Sequence, residues 1–589
     1  MKQFNELIED LVKAAFVECG FDEKYAQVSV SNRPDLCEFQ CNGAMAAAKE
    51  YGKAPFMIAD EVVEKLQGRS EFENIECVKP GFINIIVSAE FIAHYIKCMM
   101  SSDRFGYEGE EKIKTVMLDF GGANVAKPLH VGHLRSAVIG ESIKRIKKYA
   151  GNMVVSDVHL GDWGLQMGLI IEQLHDDQPD LPYFDEDFKG EYPSDAPFTL
   201  PKLEQIYPKA SGRSKEDEEF LKRAQLATLK LQQGYAPYRE IWKHIMALSL
   251  ADLKRNYNAL GVSFDMWKGE SDAQPLIPGM IEDLKSRGIA HESQGALVVD
   301  VVESNDTKEV PPCIIQKSDG AALYATSDLA TIIDRKDKVH PDEYIYIADK
   351  RQELHFIQVF RTAKKAGFIT DEKTVFLGFG TMNGKDGKPF KTRAGGVMRL
   401  ETLIDDVNKA VYDRIGSNND FTEGSADEVS GMVAISAIKY GDLSNQASRD
   451  YVFDIDRFTS FEGNTGPYIL YTVVRIKSIL DKQTGSDHEL KYGKDTITEA
   501  YSDKEKKLYL KLSEFSQVMK NACEELAPNR ICQFMYEVSD IFNGFYHDTK
   551  ILSEEDEVKK KSWLALIELT KDILLTCLDL LAIKCPERM

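Results

Sequence analysis

One segment of the chain, DFGGANVAKPLHVGH over residues 119–133, combines residue types that can act on an anion. His130 and His133 are three residues apart, so at the start of a helix they face the same side. Gly132 between them permits close approach of a backbone or a ligand, and Lys127 adds a cation. Because helix N-terminal amides favour anions, this pattern indicates stabilisation of developing phosphate charge. Two alternatives stay open: the histidines cap or pack without a ligand, or they bind zinc, although no third ligand is nearby.

The surrounding pattern predicts the elements that position this segment. Residues 116–120 predict a short strand, and 133–150 predict a helix with a buried stripe ending at Ala150 and a stop at Gly151. Open α/β sheets bind nucleotides at such a strand–helix turn, outside the carboxyl ends of the strands. Further strands are expected at 153–155, 344–348 and 375–380, a helix at 352–366 and a hairpin at 313–326. This alternation predicts a parallel sheet covered by helices on both faces.

Three more groups of residues could serve such a site. Gly161-Asp-Trp-Gly164 follows the second strand and is either a structural turn or a stacking surface. In Leu323-Tyr-Ala-Thr-Ser-Asp328, a strand is expected to end near Thr326, Ser327 to cap the next helix, and Asp328 to lie in its first turn, where a carboxylate also suits the helix dipole. The segment Gly384–Gly396, GKDGKPFKTRAGG, is a glycine-rich basic loop suited to a triphosphate, or simply a solvated loop.

The chain as a whole predicts three domains. Residues 1–110 are expected to form a small α+β domain, and 111–404 an α/β domain interrupted by an insertion at about 175–310. Residues 405–589 show helical spacing alone and are expected to form an all-α domain.

Composition excludes several classes of protein. The 589 residues carry 73 Lys and Arg against 95 Asp and Glu, a net charge of −22, which argues against a protein that coats nucleic acid non-specifically. The ten cysteines contain no CxxC pair, so reduced thiols are expected rather than a zinc site. No apolar stretch approaches the ~20 residues that span a bilayer, and the N-terminus is unlike a signal peptide, so a cytoplasmic protein is expected.

The overlapping segment ANVAKPLHVGHLRS, residues 123–136, resembles the HIGH signature of class I aminoacyl-tRNA synthetases, in the form found in the arginyl-tRNA synthetase family. The resemblance covers essentially the whole chain. It includes RPDLCEFQCNGAMAAAK and PGFINI in the first domain and LGDWGLQMG after the second strand. GPYILYTVVRIKSI, APNRICQFMYEVSDIFNGFYH and the closing CPERM resemble that family's anticodon-binding domain.

The resemblance implies roles for specific residues. Catalysis is assigned to Lys127, His130, His133, Lys391 and Arg393. ATP binding is assigned to Ala123, His130, Gly132, His133, Gly161, Asp162, Trp163 and Gly164. Arginine binding is assigned to Asp119, Asn124, Tyr324, Asp328 and Gln352, with Asp119 as the second carboxylate. The Gly384–Gly396 loop matches the KMSKS position with Thr392 in place of its second lysine, a loss for which Lys127 compensates in similar enzymes.

The implied activity is activation of L-arginine by ATP and Mg²⁺, followed by transfer of arginine to the 3′-terminal ribose of tRNA(Arg). A monomer without an editing domain or a protein-bound metal is expected. Another HIGH-superfamily nucleotidyltransferase, or a non-catalytic RNA-binding paralogue, remains an alternative.

RNA contacts are expected in three places. By the resemblance, residues 1–110 correspond to a domain that contacts tRNA. Tyr468, Tyr471 and Arg475 have helical spacing suited to stacking on splayed bases, and Met589 is implied to join them; a core tyrosine pair is the alternative. Four basic residues of the first α/β helix, Lys144, Arg145, Lys147 and Lys148, are expected on its polar side, as phosphate contacts or as a solvated face.

Overall fold

The computed structural model describes residues 1–318, 320–388, 390, 398–415, 425–484 and 492–589. The chain forms two compact units. The first comprises Met1–Glu111, Ser460–Asp579 and Lys584–Met589, and the second comprises Lys112–Thr459 and Leu580–Ile583. The segment 405–459, grouped with the C-terminal helices by its sequence pattern, therefore belongs to the same compact unit as residues 112–404.

The N-terminal segment is a small α+β fold. Its elements are α1 (Phe4–Glu18), β1 (Val28–Val30), β2 (Phe39–Cys41), α2 (Gly43–Tyr51), α3 (Pro55–Leu66), β3 (Phe72–Val78), β4 (Phe82–Val87) and α4 (Ala89–Met100). The strands pair antiparallel in the order β1-β2-β4-β3.

The second unit opens with β5 (Thr115–Asp119), α5 (Val131–Tyr149) and β6 (Met153–Asp157). The segment that follows β6 contains α6 (Leu165–Asp177), α7 (Leu200–Arg213), α8 (Glu218–Gln232), α9 (Ala236–Ala259), α10 (Glu270–Ala273) and α11 (Ile277–Ser286). An antiparallel sheet of β7 (His291–Ser293), β8 (Ala296–Val299) and β9 (Cys313–Gln316) completes it. Helices α8 and α9 are separated at Gly234, which has a φ of +86°.

The remaining elements of this unit are α12 (Tyr324–Val339), β10 (Glu343–Asp349), α13 (Glu353–Lys365), β11 (Lys373–Phe379), β12 (Met382–Asn383), α14 (Leu400–Ile415), α15 (Ser425–Leu443), β13 (Tyr451–Val452) and α16 (Ile455–Phe458). Strands β11-β10-β5-β6 form a sheet in that order, and all three pairings are parallel. The predicted Rossmann-like parallel sheet is confirmed. The order of strands reverses between β5 and β10, which makes the crevice at their carboxyl ends the expected ligand site.

Two details differ from the sequence prediction. The hairpin expected at 313–326 is only a short bridge between Gln316 and Ala322, and β9 pairs instead with β8. Lys144 and Lys147 of α5 are buried rather than solvated, so neither side chain is accessible to RNA in the unliganded protein. Lys144 lies 2.5 Å from Glu141, and Lys147 lies 3.7 Å from Glu343. Of the four basic residues, Lys148 is the exposed one.

The C-terminal helices are α17 (Gly466–Thr484), α18 (Asp503–Ser513), α19 (Phe515–Glu524), α20 (Pro528–Asp548) and α21 (Glu557–Leu580). Buried apolar residues at helical spacing build their core, as predicted; those of α20 include Ile531, Phe534, Val538 and Phe542. After α21, residues 580–583 belong to the second unit, where the ammonium of buried Lys439 donates to the carbonyl of Ala582 at 2.6 Å.

Candidate active site

A cavity of about 410 Å³ opens at the carboxyl ends of β5 and β10, where the strand order reverses. We call it the sheet-end cavity. Its lining residues are Asp119, Gly122, Ala123, Asn124, His130, Gly132, His133, Ser136, His159, Gly161, Glu270, Tyr324, Asp328, Tyr346, Ile347, Ala348, Asp349, Arg351, Gln352, His355, Phe356 and Phe379. Residues far apart in the chain therefore converge at the crevice that the sheet topology predicts.

The two histidines of the HIGH segment face this cavity together, with ring centroids 3.9 Å apart. The backbone N–H of Gly132 donates to Nδ1 of His130 at 3.0 Å, and that of His130 donates to Nδ1 of His133 at 3.1 Å. Each Nδ1 is therefore an acceptor, so a neutral ring carries its proton on Nε2. Each ring can therefore cap α5 through Nδ1 and still offer its Nε2–H to a ligand.

The two histidines carry little positive charge in the unliganded protein. Burial, with the charge of Lys127, lowers the pKa of His130. Burial and then the charge of His130 lower the pKa of His133 to about 3. Near pH 7 both rings are neutral, and each offers one Nε2–H to an anion without carrying charge.

Of the basic side chains expected beside the histidines, only Lys127 is among the described residues, and its charge reaches both rings. The ammonium of Lys127 lies 4.4 Å from the ring centroid of Tyr207 on α7, and Lys127 is not part of the cavity wall. Lys391 and Arg393 lie outside the described residues. The chain that follows them is held against the HIGH segment, since the Val131 N–H donates to the Met398 carbonyl at 3.0 Å.

Asp119 lies in the cavity wall, but its charge is already paired. Arg335 of α12 is 1% exposed and donates through Nη2 to Asp119 at 2.6 Å and to Asp157 at 2.7 Å. Although burial opposes its charge, Asp119 and Asp157 raise the pKa of Arg335 well above its usual value. Burial would raise the pKa of Asp157, but Arg335 more than offsets it and the pKa is lowered. Asp119 therefore anchors α12 to the strand ends and is not the free second carboxylate that was expected.

Glu270 of the short helix α10 is the carboxylate that sequence reasoning missed. It lines the cavity, and among the described residues no cation pairs with it. Burial and the nearby carboxylates of Asp162 and Asp328 raise the pKa of Glu270 to about 7. No motif marks this residue, because only the folding of the insertion brings α10 beside α12. Its environment is that of a carboxylate that lacks a cation.

Asp328 lies opposite Glu270 but not at the expected place in its helix. Helix α12 begins at Tyr324, where the Leu323 N–H donates to the Thr326 hydroxyl at 3.1 Å. Ser327 is therefore inside the helix and does not cap it, and Asp328 lies in the second turn. The Asp328 carboxylate is 2.6 Å from Nε2 of His355, while Tyr324 is 71% exposed at the mouth of the cavity. Asp328 is therefore not a first-turn carboxylate that stabilises the helix dipole; its side chain points into the cavity.

The amide side chains Asn124 and Gln352 also line the cavity, from opposite sides of the crevice. Asn124 pairs with Gly161 through a parallel bridge, and a Cβ at position 161 would lie 2.1 Å from the Asn124 amide oxygen. Gly161 is therefore required for this close approach. All five residues assigned to arginine binding by resemblance are brought together in one cavity.

The other residues of the Gly161–Gly164 turn are not part of the cavity lining, although the Trp163 backbone donates to the carboxyl of Glu270. Both oxygens of Asp162 accept hydrogen bonds from Ser271 next to Glu270, at 3.0 and 2.6 Å. Trp163 is 5% exposed and packs edge-on against Trp242, with ring centroids 5.6 Å apart. Asp162, Trp163 and Gly164 are absent from the lining of the cavity. Asp162 contacts α10 and Trp163 contacts α9, as expected if this motif is a structural turn.

His159, which precedes this turn, is a second residue that the sequence analysis did not single out. Its φ of +37° lies in the left-handed region, and the ring lines the cavity. Among the described residues, neither buried ring nitrogen has a hydrogen-bond partner. A strained backbone and an unsatisfied imidazole are features of ligand sites.

A second cleft, of about 590 Å³, lies among the C-terminal helices and is called the C-terminal cleft. It is lined by Tyr471, Val474, Arg475, Ser478, Ile479, Asp481, Lys482, Tyr546, Glu587, Arg588 and Met589. The Arg475 guanidinium lies 4.7 Å from the Tyr471 ring centroid, and 40% of Tyr471 is exposed. Lys477 holds the chain end through an ion pair with Glu587 at 2.8 Å.

Tyr468 is outside the C-terminal cleft and supports it from behind. Its hydroxyl accepts from the amide of Asn543 at 3.0 Å, and Asn543 in turn accepts from Arg475 at 2.6 Å. Of the four residues assigned to RNA, three line the C-terminal cleft: Tyr471, Arg475 and Met589. Tyr468 is linked to Arg475 through Asn543.

In the described part of the chain, no group of three or more His, Cys, Asp or Glu side chains could hold a metal ion. Nor does that part of the chain contain a helix both long enough and apolar enough to cross a membrane.

Comparisons with known proteins agree with this geometry. Residues 96–455 match the model of the class I (R) tRNA synthetase catalytic domain, 469–589 that of the DALR anticodon binding domain, and 2–87 that of the arginyl tRNA synthetase N-terminal domain. The chain is 57% identical to an arginine–tRNA ligase of Agathobacter rectalis, with both chains covered completely. It is 52% identical to one of Alkaliphilus oremlandii, over 100% of this chain and 99% of the relative.

Solved structures give the same result. The arginyl-tRNA synthetase of Plasmodium falciparum superposes with a TM-score of 0.80 at 25% identity, over the full length of both chains. That of Thermus thermophilus shares the fold, with a TM-score of 0.77 at 22% identity over both full lengths. The parallel sheet, the histidine pair at its switch point and the C-terminal helices define a class I aminoacyl-tRNA synthetase. Within that class, the chain belongs to the arginyl-tRNA synthetase family.

Proposed function

We propose that this chain is an arginine–tRNA ligase that activates L-arginine with ATP and transfers it to the 3′-terminal ribose of tRNA(Arg). The observation that carries the proposal is the pair Glu270 and Asp328, two carboxylates facing one cavity beside a neutral histidine pair at the start of a helix. A guanidinium is planar and always charged, and it favours carboxylates placed to accept its parallel N–H groups.

The cavity supports a specific placement of arginine. Glu270 and Asp328 would accept the guanidinium, with Tyr324 at the mouth, while Asn124 and Gln352 hold the amino end. Glu270 takes over the role that the sequence had assigned to Asp119, whose charge Arg335 has already compensated. Lysine and ornithine have one point charge and cannot pair both carboxylates equally well, so they are rejected without an editing domain.

Activation joins the carboxylate of arginine to the α-phosphate of ATP and releases pyrophosphate. The Nε2–H groups of His130 and His133 donate to the phosphates, and Lys127 supplies a positive charge, together with Lys391 and Arg393 of the Gly384–Gly396 loop. Backbone at Ala123, Gly132 and Gly161 gives the nucleotide room to approach. Catalysis is positioning and charge stabilisation, without a protein nucleophile.

Mg²⁺ enters with the triphosphate as part of the substrate. Phosphate oxygens of the triphosphate provide its ligands. The ion neutralises phosphate charge during displacement of pyrophosphate.

RNA recognition is proposed for the C-terminal cleft and for the N-terminal residues 1–110. Tyr471 and Arg475 offer a stacking surface for an anticodon base, and Met589 packs against it. The protein is proposed to act as a monomer in the cytoplasm, and size-exclusion chromatography with light scattering tests the monomer. For the design of truncations we propose limits of 1–110, 111–459 and 460–589, with the insertion kept at 175–310, because 405–459 belongs to the same compact unit as 112–404.

The experiment that tests the function is ATP–pyrophosphate exchange with arginine, lysine, ornithine and glutamine, each with and without tRNA. Of these four amino acids, we expect only arginine to support exchange. We expect it to require tRNA, because the Gly384–Gly396 loop lacks one of the family's lysines and bound RNA must complete the site. Equal exchange with lysine would contradict the substrate, whereas full exchange in RNA-free protein would contradict only the requirement for tRNA.

A further inference from the structure

The turn that carries Lys127 is held by two residues of the insertion. Ala126, immediately before it, has a φ of +61°, in the left-handed region that an L-residue seldom adopts. The Ala126 N–H donates to the hydroxyl of Ser249 on α9 at 2.9 Å, and Ser249 is 4% exposed. A strained backbone persists only where its surroundings hold it, and Ser249 supplies that support.

The side chain of Lys127 is held by a second insertion helix. Its ammonium lies over the ring of Tyr207 on α7, 4.4 Å from the centroid, which is the geometry of a cation–π contact. Tyr207 packs against the buried cluster of Leu169, Ala210, Phe220 and Ala224, so the core of the insertion holds the ring in place. The ring is therefore a fixed platform for the ammonium.

Tyr207 also lies close to the proposed arginine site. Burial, then the carboxyl of Glu270 and the hydroxyl of Tyr207, raise the pKa of Tyr324. On the same helix α7, Glu204 forms an ion pair with Arg399 at 2.7 Å, and the segment around Arg399 pairs with the backbone at Leu129 and Val131. One helix of the insertion thus contacts both the lysine before the HIGH histidines and the chain that follows the Gly384–Gly396 loop.

We infer that Tyr207 and Ser249 are positioning residues for Lys127 in the activation step, so that the insertion is part of the catalytic apparatus. The inference rests on the function proposed above. Ser249 sets the backbone from which the lysine extends, and the face of Tyr207 sets where its ammonium stands. The ring contact is electrostatic and directed at the ring face, so it aligns the cation without the strong pairing that a carboxylate would impose.

The test is a double-mutant cycle measured in ATP–pyrophosphate exchange with arginine and saturating tRNA. Tyr207→Leu removes the ring face and Tyr207→Phe retains it, so Tyr207→Phe is the matched control. We expect Tyr207→Leu to lower kcat about tenfold, in keeping with the free energy of such a contact, while the arginine KM stays within about twofold. Tyr207→Phe should stay within about twofold of the original protein in both constants.

The cycle separates positioning of Lys127 from a general structural effect. In a Lys127→Ala background, neither Tyr207→Leu nor Ser249→Ala should lower kcat further, whereas Ser249→Ala alone should lower it several-fold. Equal losses in both backgrounds, a Tyr207→Phe variant as impaired as Tyr207→Leu, or an unimpaired Tyr207→Leu variant would each overturn the inference. If Lys127→Ala itself leaves kcat unchanged, the role of Lys127 and this inference both fail, while arginine-dependent exchange still supports the overall function.

Discussion

Glu270 is the residue on which arginine recognition depends most in this account. Its pKa of about 7 in the unliganded protein reflects burial beside Asp162 and Asp328. A guanidinium binds the ionised carboxylate and lowers this pKa, so binding below pH 7 must first expel a proton. A raised carboxyl pKa also means that its contribution to folding stability is full below pH 4.5 and is lost as the pH rises through about 7.

We therefore expect the arginine KM to rise as the pH falls below about 7, by up to about tenfold per unit. Glu270→Gln cannot ionise, so it should have a higher KM with this pH dependence removed. Steady-state exchange from pH 5.5 to 8.5 measures the arginine KM of the original protein and of Glu270→Gln. Glu282→Gln, the same change at an exposed position of α11, is the control and should follow the original profile. An unchanged profile in Glu270→Gln would show that another group titrates.

Asp328 is expected to act on arginine and not on ATP. Asp328→Asn keeps the shape of the side chain but removes the charge, and loss of a largely desolvated charge pair costs about 2–4 kcal/mol. The arginine KM should therefore rise about 30- to 1000-fold, while the KM for ATP changes little. Asp334→Asn on the same helix, whose carboxylate pairs with Lys338, serves as the control. An arginine KM unaffected by Asp328→Asn would place the guanidinium elsewhere.

At the scale of elements, Arg335 explains how α12 is held in register with the sheet. One buried guanidinium joins the carboxylates that end β5 and β6, and it also donates to the Tyr346 hydroxyl of β10 at 3.0 Å. This network determines where Asp328 and Tyr324, about two and three turns away on α12, enter the cavity. We therefore expect the sequence-assigned ligand Asp119 to act on substrate through the helix that it holds.

Arg335→Ala should destabilise the parallel-sheet unit by about 3–5 kcal/mol, because it leaves two buried carboxylates without a cation. Lys338→Ala, one turn further along α12 in an exposed pair, should cost less than about 1 kcal/mol. Urea unfolding followed by circular dichroism compares the two variants. Similar midpoints for both would mean that the buried network contributes nothing beyond a surface pair.

Local sequence pattern predicted the elements of the sheet closely, because buried strands and the stripe of α5 are short-range features. The predicted strand at 344–348 lies within β10, and the predicted helix at 352–366 corresponds to α13. Lys144 and Lys147 were misplaced, because their charges are paired by Glu141 and Glu343, and Glu343 lies about 200 residues away in the chain. Glu270 escaped notice for the same reason: only tertiary packing makes it unusual.

At the scale of the whole molecule, chain order and compact units do not coincide. The N-terminal α+β fold and the C-terminal helices form one unit, in which Lys506 of α18 lies 2.8 Å from Glu38 beside β2 and 3.0 Å from Glu73 of β3. Both segments were assigned to RNA by resemblance, although they stand at opposite ends of the sequence. The C-terminal cleft lies in this unit and contains the last residue of the chain.

Deletion of Met589 should raise the KM for tRNA roughly tenfold or more while the fold survives, because one base contact contributes about 1–3 kcal/mol. Saturating tRNA should restore much of the rate. The measurement is aminoacylation against tRNA concentration, with the melting temperature as a control for folding and Met589→Leu as a variant that keeps an apolar end. Superimposable curves for the intact and shortened chains would mean that the terminus takes no part in RNA binding.

The most direct test of the central claim is transfer of radiolabelled arginine to tRNA in the presence of ATP and Mg²⁺. We expect acid-precipitable label that depends on ATP, is released by mild base as expected for a ribose ester, and is absent when labelled lysine replaces arginine. Asp328→Asn should abolish charging at low arginine concentration, and Asp334→Asn should not. Failure to charge tRNA with arginine, or equal charging with lysine, would contradict the assignment.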